Sequence, residues 1–187
     1  MRLAVVTGNP NKAKEVAAFF SGKLEVDHIR LECPEFRHDD VGEIAREKAR
    51  FAYERLKVPL IVDDTAFSID ALQGFPGPYA AYVLNTIGIG GILTLMQGRP
   101  ERAAHFVTAI AYADDDGVLV FKGTLDGTIV APRGTGGFGY DPIFEWEGHT
   151  LAELSLEVKS TISHRGRALA AFSGWLKGKG LLVLHKS

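Results

Sequence analysis

Four short segments carry the side chains best suited to chemistry. They are TGNPNK (7–12), VDDT (62–65), GTGGFGYD (134–141) and KSTISHR (159–165). Carboxylates hold hard cations or accept protons, and lysine and arginine donate to phosphate oxygens. The spacing within each segment, and the elements around it, decide which of these chemistries it can serve.

The first segment lies between an apolar strand, RLAVVT, and the helical sequence AKEVAAFF. Asn9 is suited to cap that helix and Pro10 to occupy its first position. Such a corner presents free backbone N–H groups and the positive end of a helix dipole, which favour phosphate, and Lys12 adds an ammonium. The P-loop spacing is absent. On its own, the segment is equally typical of an ordinary helix start.

The second segment ends a predicted strand, PLIVDD (59–64), with two carboxylates. Adjacent strand residues point to opposite faces, so one of Asp63 and Asp64 should face a cleft while the other braces a neighbour. A further acidic stretch, ECPEFRHDD, is predicted to be a solvated loop with one ligand among its carboxylates (Glu32, Glu35, Asp39, Asp40). Mg²⁺ needs only one or two protein carboxylates when phosphates and waters complete its shell.

The third segment contains the letters G-x-G-x-x-G at Gly134, Gly136 and Gly139. We reject a dinucleotide fingerprint, because that motif requires a helix immediately afterwards and Pro142 follows instead. One interpretation is a glycine loop that exposes the rings of Phe138 and Tyr140 beside Asp141, suited to stacking on a base and reading its edge. A glycine-rich turn with core aromatic residues is an equally good interpretation.

The fourth segment and the two residues after it concentrate cations: Lys159, His164, Arg165 and Arg167. They form either a solvated helix face or, with a helix start at Ser163, a set of donors aimed at one phosphate or carbonyl oxygen. The other histidines are scattered, which argues against a zinc cluster (His28, His38, His105, His149, His185). No nucleophile motif is present, and Cys33 is predicted to serve packing.

The elements that position these segments alternate between strand and helix, which predicts an α/β fold. Residues 24–29 read as a second strand and Val41–Leu56 as an amphipathic helix. A short helix is predicted over Tyr79–Thr86. The segments HFVTAIAYA and GVLVFKGTL predict a hairpin and, together with GTIV, a second lobe over about 105–130. Residues 150–177 predict one or two helices, opened by a capping box of Thr150 and Glu153.

Composition bounds the function classes. The 187 residues are 46% hydrophobic, which predicts a single domain over 1–187 with a substantial core. The formal net charge of −2 argues against a nucleic-acid coat. A single cysteine fits a reducing compartment. Neither a secretion signal nor an apolar run of membrane-spanning length is evident, so we expect a cytoplasmic protein without a membrane partner.

Five motifs, in order, resemble the inosine triphosphate pyrophosphatase family: TGNPNKAKE, PEF, VDDTAF with GFPGPYAA, GGFGYDPIF, and AELSLEVKSTISHRGRAL. The resemblance runs from residue 3 to about residue 176. It implies an elongated mixed sheet flanked by helices, with two lobes around a central nucleotide-binding cleft. It also implies a homodimer, a Mg²⁺ requirement, and hydrolysis of non-standard purine nucleoside triphosphates (ITP, dITP, XTP) to the monophosphate and pyrophosphate.

The resemblance also implies residue roles. Glu35 and Asp64 would bind the metal, Asp64 would activate water, and Thr65 would contact substrate. The triphosphate would lie against Thr7, Gly8, Asn9, Pro10, Asn11 and Lys12. The base would lie against Phe138, Gly139, Tyr140 and Asp141, and would be read with the help of Lys159, His164 and Arg165. The chain departs modestly from the family pattern, with Thr65-Ala66 in place of Ser-Gly and Ser160 in place of Asn.

Three alternatives remain at this point. A Maf-like nucleotide pyrophosphatase resembles the same fold, although its serine- and arginine-rich opening loop is missing here. A nucleotide sensor without turnover is disfavoured by Asp64 and Glu35. An RNA-binding module is disfavoured by the lack of a basic surface signal.

Overall fold

The computed structural model describes residues 2–182, so His185 and the ends of the predicted 1–187 domain lie outside the described residues. Over that range the chain forms one sheet of eight strands with six α-helices. The strands are β1 (Arg2–Val6), β2 (Glu25–Ile29), β3 (Leu60–Ile69), β4 (Pro76–Gly77), β5 (Ala103–Asp114), β6 (Gly117–Ile129), β7 (Phe144–Trp146) and β8 (His149–Thr150). The helices are α1 (Pro10–Phe20), α2 (Val41–Leu56), α3 (Ala80–Thr86), α4 (Gly88–Leu95), α5 (Leu156–Ile162) and α6 (His164–Gly178).

The sheet is mixed, with strand order β2-β1-β3-β5-β6-β7-β8, and β4 pairs with β3. β1 runs parallel to β2 and β3, whereas the pairs from β3 through β8 are antiparallel. The predicted α/β fold with a mixed sheet flanked by helices is confirmed. No helix within residues 2–182 is both long and apolar enough to cross a membrane.

β3 is longer than its parallel neighbour, and this difference opens the cleft. The last β1–β3 pair is Val6 with Val62, while β3 continues to Ile69 against β5. The prediction that this strand ends at Asp64 is therefore wrong, because pairing with β5 extends it. Beyond Val62, β3 has lost its β1 neighbour, so side chains from both of its faces can reach the open space at the end of β1.

The two faces of the sheet are covered by different helices. Ile61 belongs to a buried cluster with Val16 of α1 and Phe172 of α6, whereas Val62 belongs to a second cluster with Ala49 of α2. Alternation along β3 thus sends odd-numbered side chains toward α1 and α6, and even-numbered ones toward α2. The alanine-rich surfaces of α2 and β5 allow that helix to lie close to the sheet (Ala45, Ala49, Ala52, Ala109, Ala111, Ala113).

Several local predictions are confirmed. Asn9 caps α1 and Pro10 occupies its first turn. The β5–β6 hairpin turns between Asp114 and Gly117, where the glycine has φ 125°. The segment GTIV is not a separate strand but largely the end of β6, because the β5–β6 ladder continues to Thr128. Both hairpin strands belong to the main sheet.

The capping box near residue 150 also forms, but it begins a different element from the one expected. Thr150 and Glu153 satisfy each other's backbone groups at a single 3₁₀ turn, Leu151–Glu153. Two α-helices follow, with Ser155 and Ser163 as their N-caps. The predicted helix start at Ser163 is thereby confirmed, and it fixes His164 and Arg165 in the first turn of α6.

Candidate functional site

One cleft of about 1300 Å³ brings together the corner after β1, the open edge of β3, the glycine loop and the start of α6. Lys12, Asp64 and Phe138 all line it. The other predicted site residues that line it are Thr7, Gly8, Asn9, Glu35, Thr65, Gly139, Tyr140, Asp141, Lys159, His164 and Arg165. Pro10 and Asn11 are not among its lining residues.

The corner after β1 is organised by Asn9. Its side-chain oxygen accepts from the backbone N–H groups of Asn11 and Lys12, at 2.9 and 3.4 Å. The expectation that these N–H groups are free for a phosphate is therefore wrong, because the cap already uses them. What the corner contributes to the cleft is the Lys12 ammonium, which lies 2.7 Å from Asp63 Oδ1.

Asp64 faces the other side of β3, toward α2. Its Oδ1 accepts from the Thr65 backbone N–H at 3.0 Å, and its Oδ2 contacts Lys48 Nζ at 2.7 Å. Burial would lower the pKa of Lys48, but Asp64, with Glu35 adding, outweighs burial and raises it. The carboxylates of Asp64 and Glu35 thus both attract the Lys48 ammonium. Hard oxygen donors of this kind suit a hard cation such as Mg²⁺.

Asp63 occupies a different environment although it adjoins Asp64. Arg165 Nε donates to its Oδ2 at 2.5 Å, so this carboxylate lies between Arg165 and Lys12. Burial raises the pKa of Asp63, but Arg165 and Lys12 together outweigh that effect and hold the pKa well below its ordinary value. Asp63 is the predicted bracing aspartate.

The ion pair of Lys12 and Asp63 is one end of a chain of alternating charges under the cleft. From Lys12 and Asp63 the chain continues through Arg165, Glu15, Lys159 and Asp141. Glu15 contacts both Arg165 and Lys159, the latter at 2.6 Å, and its side chain is only 4% exposed. Buried charges are tolerated only when each is paired, so the chain fixes its members relative to one another.

The far end of this chain supports the glycine loop. Asp141 accepts from Lys159 Nζ at 2.5 Å and from the backbone N–H of Phe138 at 2.7 Å. Lys159 Nζ lies 4.6 Å from the centre of the Phe138 ring, within cation–π distance. The same ring forms part of the wall of the cleft. No α-helix follows the loop before Leu156, so the rejection of a dinucleotide fingerprint is confirmed.

Tyr140 differs from the prediction that its ring is an exposed stacking surface. The ring packs on Phe67 with centroids 4.5 Å apart, and its hydroxyl donates to the Ala80 carbonyl at 2.8 Å. The interpretation with an exposed tyrosine ring is wrong, and the alternative with core aromatic residues holds for Tyr140, because its ring packs into the apolar core beneath the loop. Phe138 is left as the aromatic ring available to a ligand in this loop.

His164 is buried and lines the same cleft as Phe138. Its ring stacks on Phe106 with centroids 4.4 Å apart, and its Nδ1 lies 2.6 Å from Thr108 Oγ1. Burial lowers the pKa of His164 well below its ordinary value, and Arg165 and Lys159 lower it further. The imidazole is therefore neutral at pH 7.

Three residues of this arrangement were not predicted: Lys48, Glu15 and Thr108. Lys48 had a detectable signal, because it falls inside the apolar stripe of α2, between Ala45 and Ala49. A charged residue at such a position needs a buried partner. Glu15 and Thr108 gave no comparable signal, since their partners become neighbours only through the fold.

These features define a class: an α/β protein whose cleft combines cationic groups, a carboxylate pair and an aromatic wall. The Ham1 family model matches residues 3–175, and the chain belongs to the Ham1 family. The chain is 47% identical to the dITP/XTP pyrophosphatase of Thermococcus kodakarensis, over 95% of this chain and 98% of that protein. It is 44% identical to inosine triphosphate pyrophosphatase 1 of Trypanosoma cruzi, over 91% and 89% respectively.

Solved structures are similar as well. A HAM1 protein from Coxiella burnetii has a TM-score of 0.83 at 30% identity, over 95% of this chain and 99% of that one. The Ham1 protein of Staphylococcus aureus has a TM-score of 0.81 at 29% identity, over 96% of this chain and 100% of that one. The family resemblance drawn from the five motifs is confirmed.

Proposed function

We propose that this protein hydrolyses non-standard purine nucleoside triphosphates (ITP, dITP and XTP) to the monophosphate and pyrophosphate, with Mg²⁺. The observation that carries the proposal is that Lys12, Asp64 and Phe138 line one cleft. A nucleoside triphosphate needs a cation for its phosphates, a carboxylate near the scissile bond and a surface for its base. The names of the related pyrophosphatases support the same activity.

At the phosphate end, Lys12 and Lys48 are the ammonium groups that a triphosphate meets. Each is 18% exposed and each already contacts an aspartate at 2.7 Å. Pre-positioned cations stabilise charge on a transferring phosphoryl group without reorganising during the reaction. We assign the polyphosphate to this end of the cleft.

Asp64 is the group we assign to the attacking water. Its carboxylate accepts the water proton as the oxygen attacks the α-phosphorus, the bond to the bridging oxygen breaks, and pyrophosphate leaves. Glu35 and Asp64 are the residues that would hold Mg²⁺, which neutralises phosphate charge and stabilises the leaving group.

At the base end, Phe138 is the stacking surface, and His164 and Arg165 help to read the base edge. Inosine and xanthosine present a 6-oxo acceptor, whereas adenine presents an amino donor that would leave protein donors unpaired. A mismatch of this kind can reduce kcat/KM by orders of magnitude. Exclusion of GTP needs a further unfavourable contact at its 2-amino group.

The proposal includes a cytoplasmic homodimer with two lobes around the cleft and no nucleic-acid or membrane partner. Ile87 and Leu95, beside and on α4, are 47% and 43% exposed and do not line the cleft, and exposed apolar surface of this kind supports a protein interface. The single cysteine of the sequence supports a reducing compartment. Light scattering over a range of concentrations tests the dimer.

A substrate panel tests the activity. Pyrophosphate release is measured from ITP, dITP, XTP, ATP, GTP and dTTP with Mg²⁺, and the first three should be hydrolysed with the highest kcat/KM. A preference for dTTP would favour the Maf-like alternative. Tight ITP binding without Mg²⁺-dependent hydrolysis would favour a sensor.

A further inference from the structure

A short chain of hydroxyl groups connects Arg165 to the ring of His164. Thr65 on β3 and Thr108 on β5 are directly opposite each other in the ladder, and their Oγ1 atoms lie 2.7 Å apart. Thr108 Oγ1 lies 2.6 Å from His164 Nδ1. Thr108 is fully buried, so water cannot compete for its hydroxyl.

The direction of these hydrogen bonds follows from their first member. Arg165 Nη2 donates to Thr65 Oγ1 at 3.2 Å, and a guanidinium can only donate. The positive charge orients the lone pairs of Thr65 toward Arg165 and its proton away, toward Thr108. Because Thr108 has one proton and two contacts, accepting from Thr65 leaves it to donate to His164 Nδ1.

We propose that Thr65 and Thr108 hold His164 in the tautomer whose proton is on Nε2. Nδ1 is then the acceptor of the Thr108 hydroxyl, and the opposite nitrogen of the ring is a fixed donor in the cleft that the ring lines. The ring is neutral, so its tautomer decides whether it donates or accepts at Nε2. Thr108 is a positioning residue in this arrangement, since it acts through His164.

The position of His164 against the sheet is also set by a particular residue. Gly123 on β6 is the ladder partner of Thr108, on the same face. A Cβ at Gly123 would lie 2.2 Å from the His164 carbonyl oxygen and 2.4 Å from the Ala168 backbone nitrogen. The glycine therefore lets the first turn of α6 approach the sheet closely enough for Thr108 to reach the ring.

The consequence for selectivity rests on the proposed function. An Nε2–H donor matches the 6-oxo group of inosine or xanthosine and opposes the 6-amino group of adenine. The other tautomer would present an acceptor and reverse that preference. A fully buried hydroxyl, that of Thr108, thus takes part in choosing the base.

The test uses the whole protein labelled with ¹⁵N at histidine, without ligand. The ¹⁵N shifts distinguish protonated from unprotonated ring nitrogens, and the His164 signals are assigned by their loss in His164→Gln. We expect Nε2 protonated and Nδ1 unprotonated in the native protein and in Thr108→Ser, which keeps the hydroxyl. Thr108→Val should redistribute the proton between the nitrogens and reduce the ITP-over-ATP ratio of kcat/KM at least about tenfold.

Protonated Nδ1 in the native protein would overturn the proposal, and that measurement needs no variant. An unchanged tautomer in Thr108→Val, with its fold verified by circular dichroism, would overturn it too. Because the spectra are recorded without substrate, they test the tautomer separately from the activity. If the substrate panel fails while the native tautomer is as stated, the proposed function is wrong and the hydroxyl chain stands.

Discussion

Asp63 and Asp64 are adjacent in β3, yet their carboxylates contact cations on opposite sides of the sheet. Asp63 Oδ2 accepts from Arg165 at 2.5 Å, whereas Asp64 Oδ2 contacts Lys48 at 2.7 Å. Strand alternation separates the two side chains, and the end of β1 at Val6 lets both reach one cleft. Asp63 therefore positions Arg165 and Lys12, whereas Asp64 is the carboxylate that we propose acts on the attacking water.

Asp64→Asn should reduce kcat for ITP by about 10²–10⁴-fold, because an amide cannot accept the proton of the attacking water. Lys12 and Phe138 do not contact this carboxylate, so the Kd for ITP measured without Mg²⁺ should change little. Steady-state kinetics and calorimetric titration measure the two quantities. Comparable losses of turnover and binding would show that Asp64 holds the substrate instead.

Asp63→Asn should have a different effect, because it removes the buried carboxylate that lies between Arg165 and Lys12. Breaking a buried ion pair in this way costs about 3–5 kcal/mol. The free energy of unfolding, from urea titration, should fall by that order, and KM should rise. Asp116→Asn, the same change in the exposed hairpin turn, should remain within about 0.5 kcal/mol of the native protein. Equal stability of the two variants would contradict the bracing role.

Gly123→Ala should destabilise the fold by about 1–3 kcal/mol and reduce activity, because the added methyl overlaps the first turn of α6. Gly174→Ala is the matched control. It lies within α6 with nothing within 4 Å of the added Cβ, so it should be neutral or stabilising by up to about 1 kcal/mol. Thermal unfolding of both variants compares them. A neutral Gly123→Ala would show that α6 does not depend on this close approach.

His105 should make stability depend on pH. It lies between Asp126 and Asp70, at 2.9 and 2.8 Å, and the hydrogen bond that it donates to Asp126, assisted by Asp70, raises its pKa above the ordinary value. Because the pKa is higher in the folded state, protonated His105 stabilises the fold fully at pH values below its ordinary pKa. This stabilisation disappears as the pH rises through the pKa of His105 in the folded protein.

The effect should be small, of order 0.5 kcal/mol, because all three side chains are at least about one-third exposed. Urea titrations at pH 5.5 and pH 9 measure the free energy of unfolding. Between these two values the native protein should lose more of that free energy than the His105→Gln variant loses. The same pH dependence in both proteins would show that His105 does not make stability depend on pH.

Local sequence patterns predicted the elements that depend on local physics. The apolar stripe of Val41–Leu56 matches α2, and the Asn9 cap and the hairpin at Gly117 form as expected. The predictions that fail are those in which residues distant in sequence determine the structure. β3 extends past Asp64 because β5 pairs with it, and the Tyr140 ring enters the core because Phe67 is beneath it.

The same distinction applies to the site. The segments that contribute Lys12, Asp64, Phe138 and His164 could be selected from sequence, since each has a recognisable surrounding motif. The residues that orient these side chains could not be selected from the sequence. Glu15 between Lys159 and Arg165, and Thr108 beneath His164, become neighbours only when helices and strands pack.

The most direct test of the central claim is hydrolysis of ITP with Mg²⁺ in ¹⁸O-labelled water, followed by mass spectrometry of both products. A triphosphate held by Lys12 and Lys48, with its α-phosphorus beside Asp64, predicts IMP and pyrophosphate in equal amounts, with the label in IMP. Formation of IDP and phosphate, or label in the pyrophosphate, would contradict this placement of the substrate.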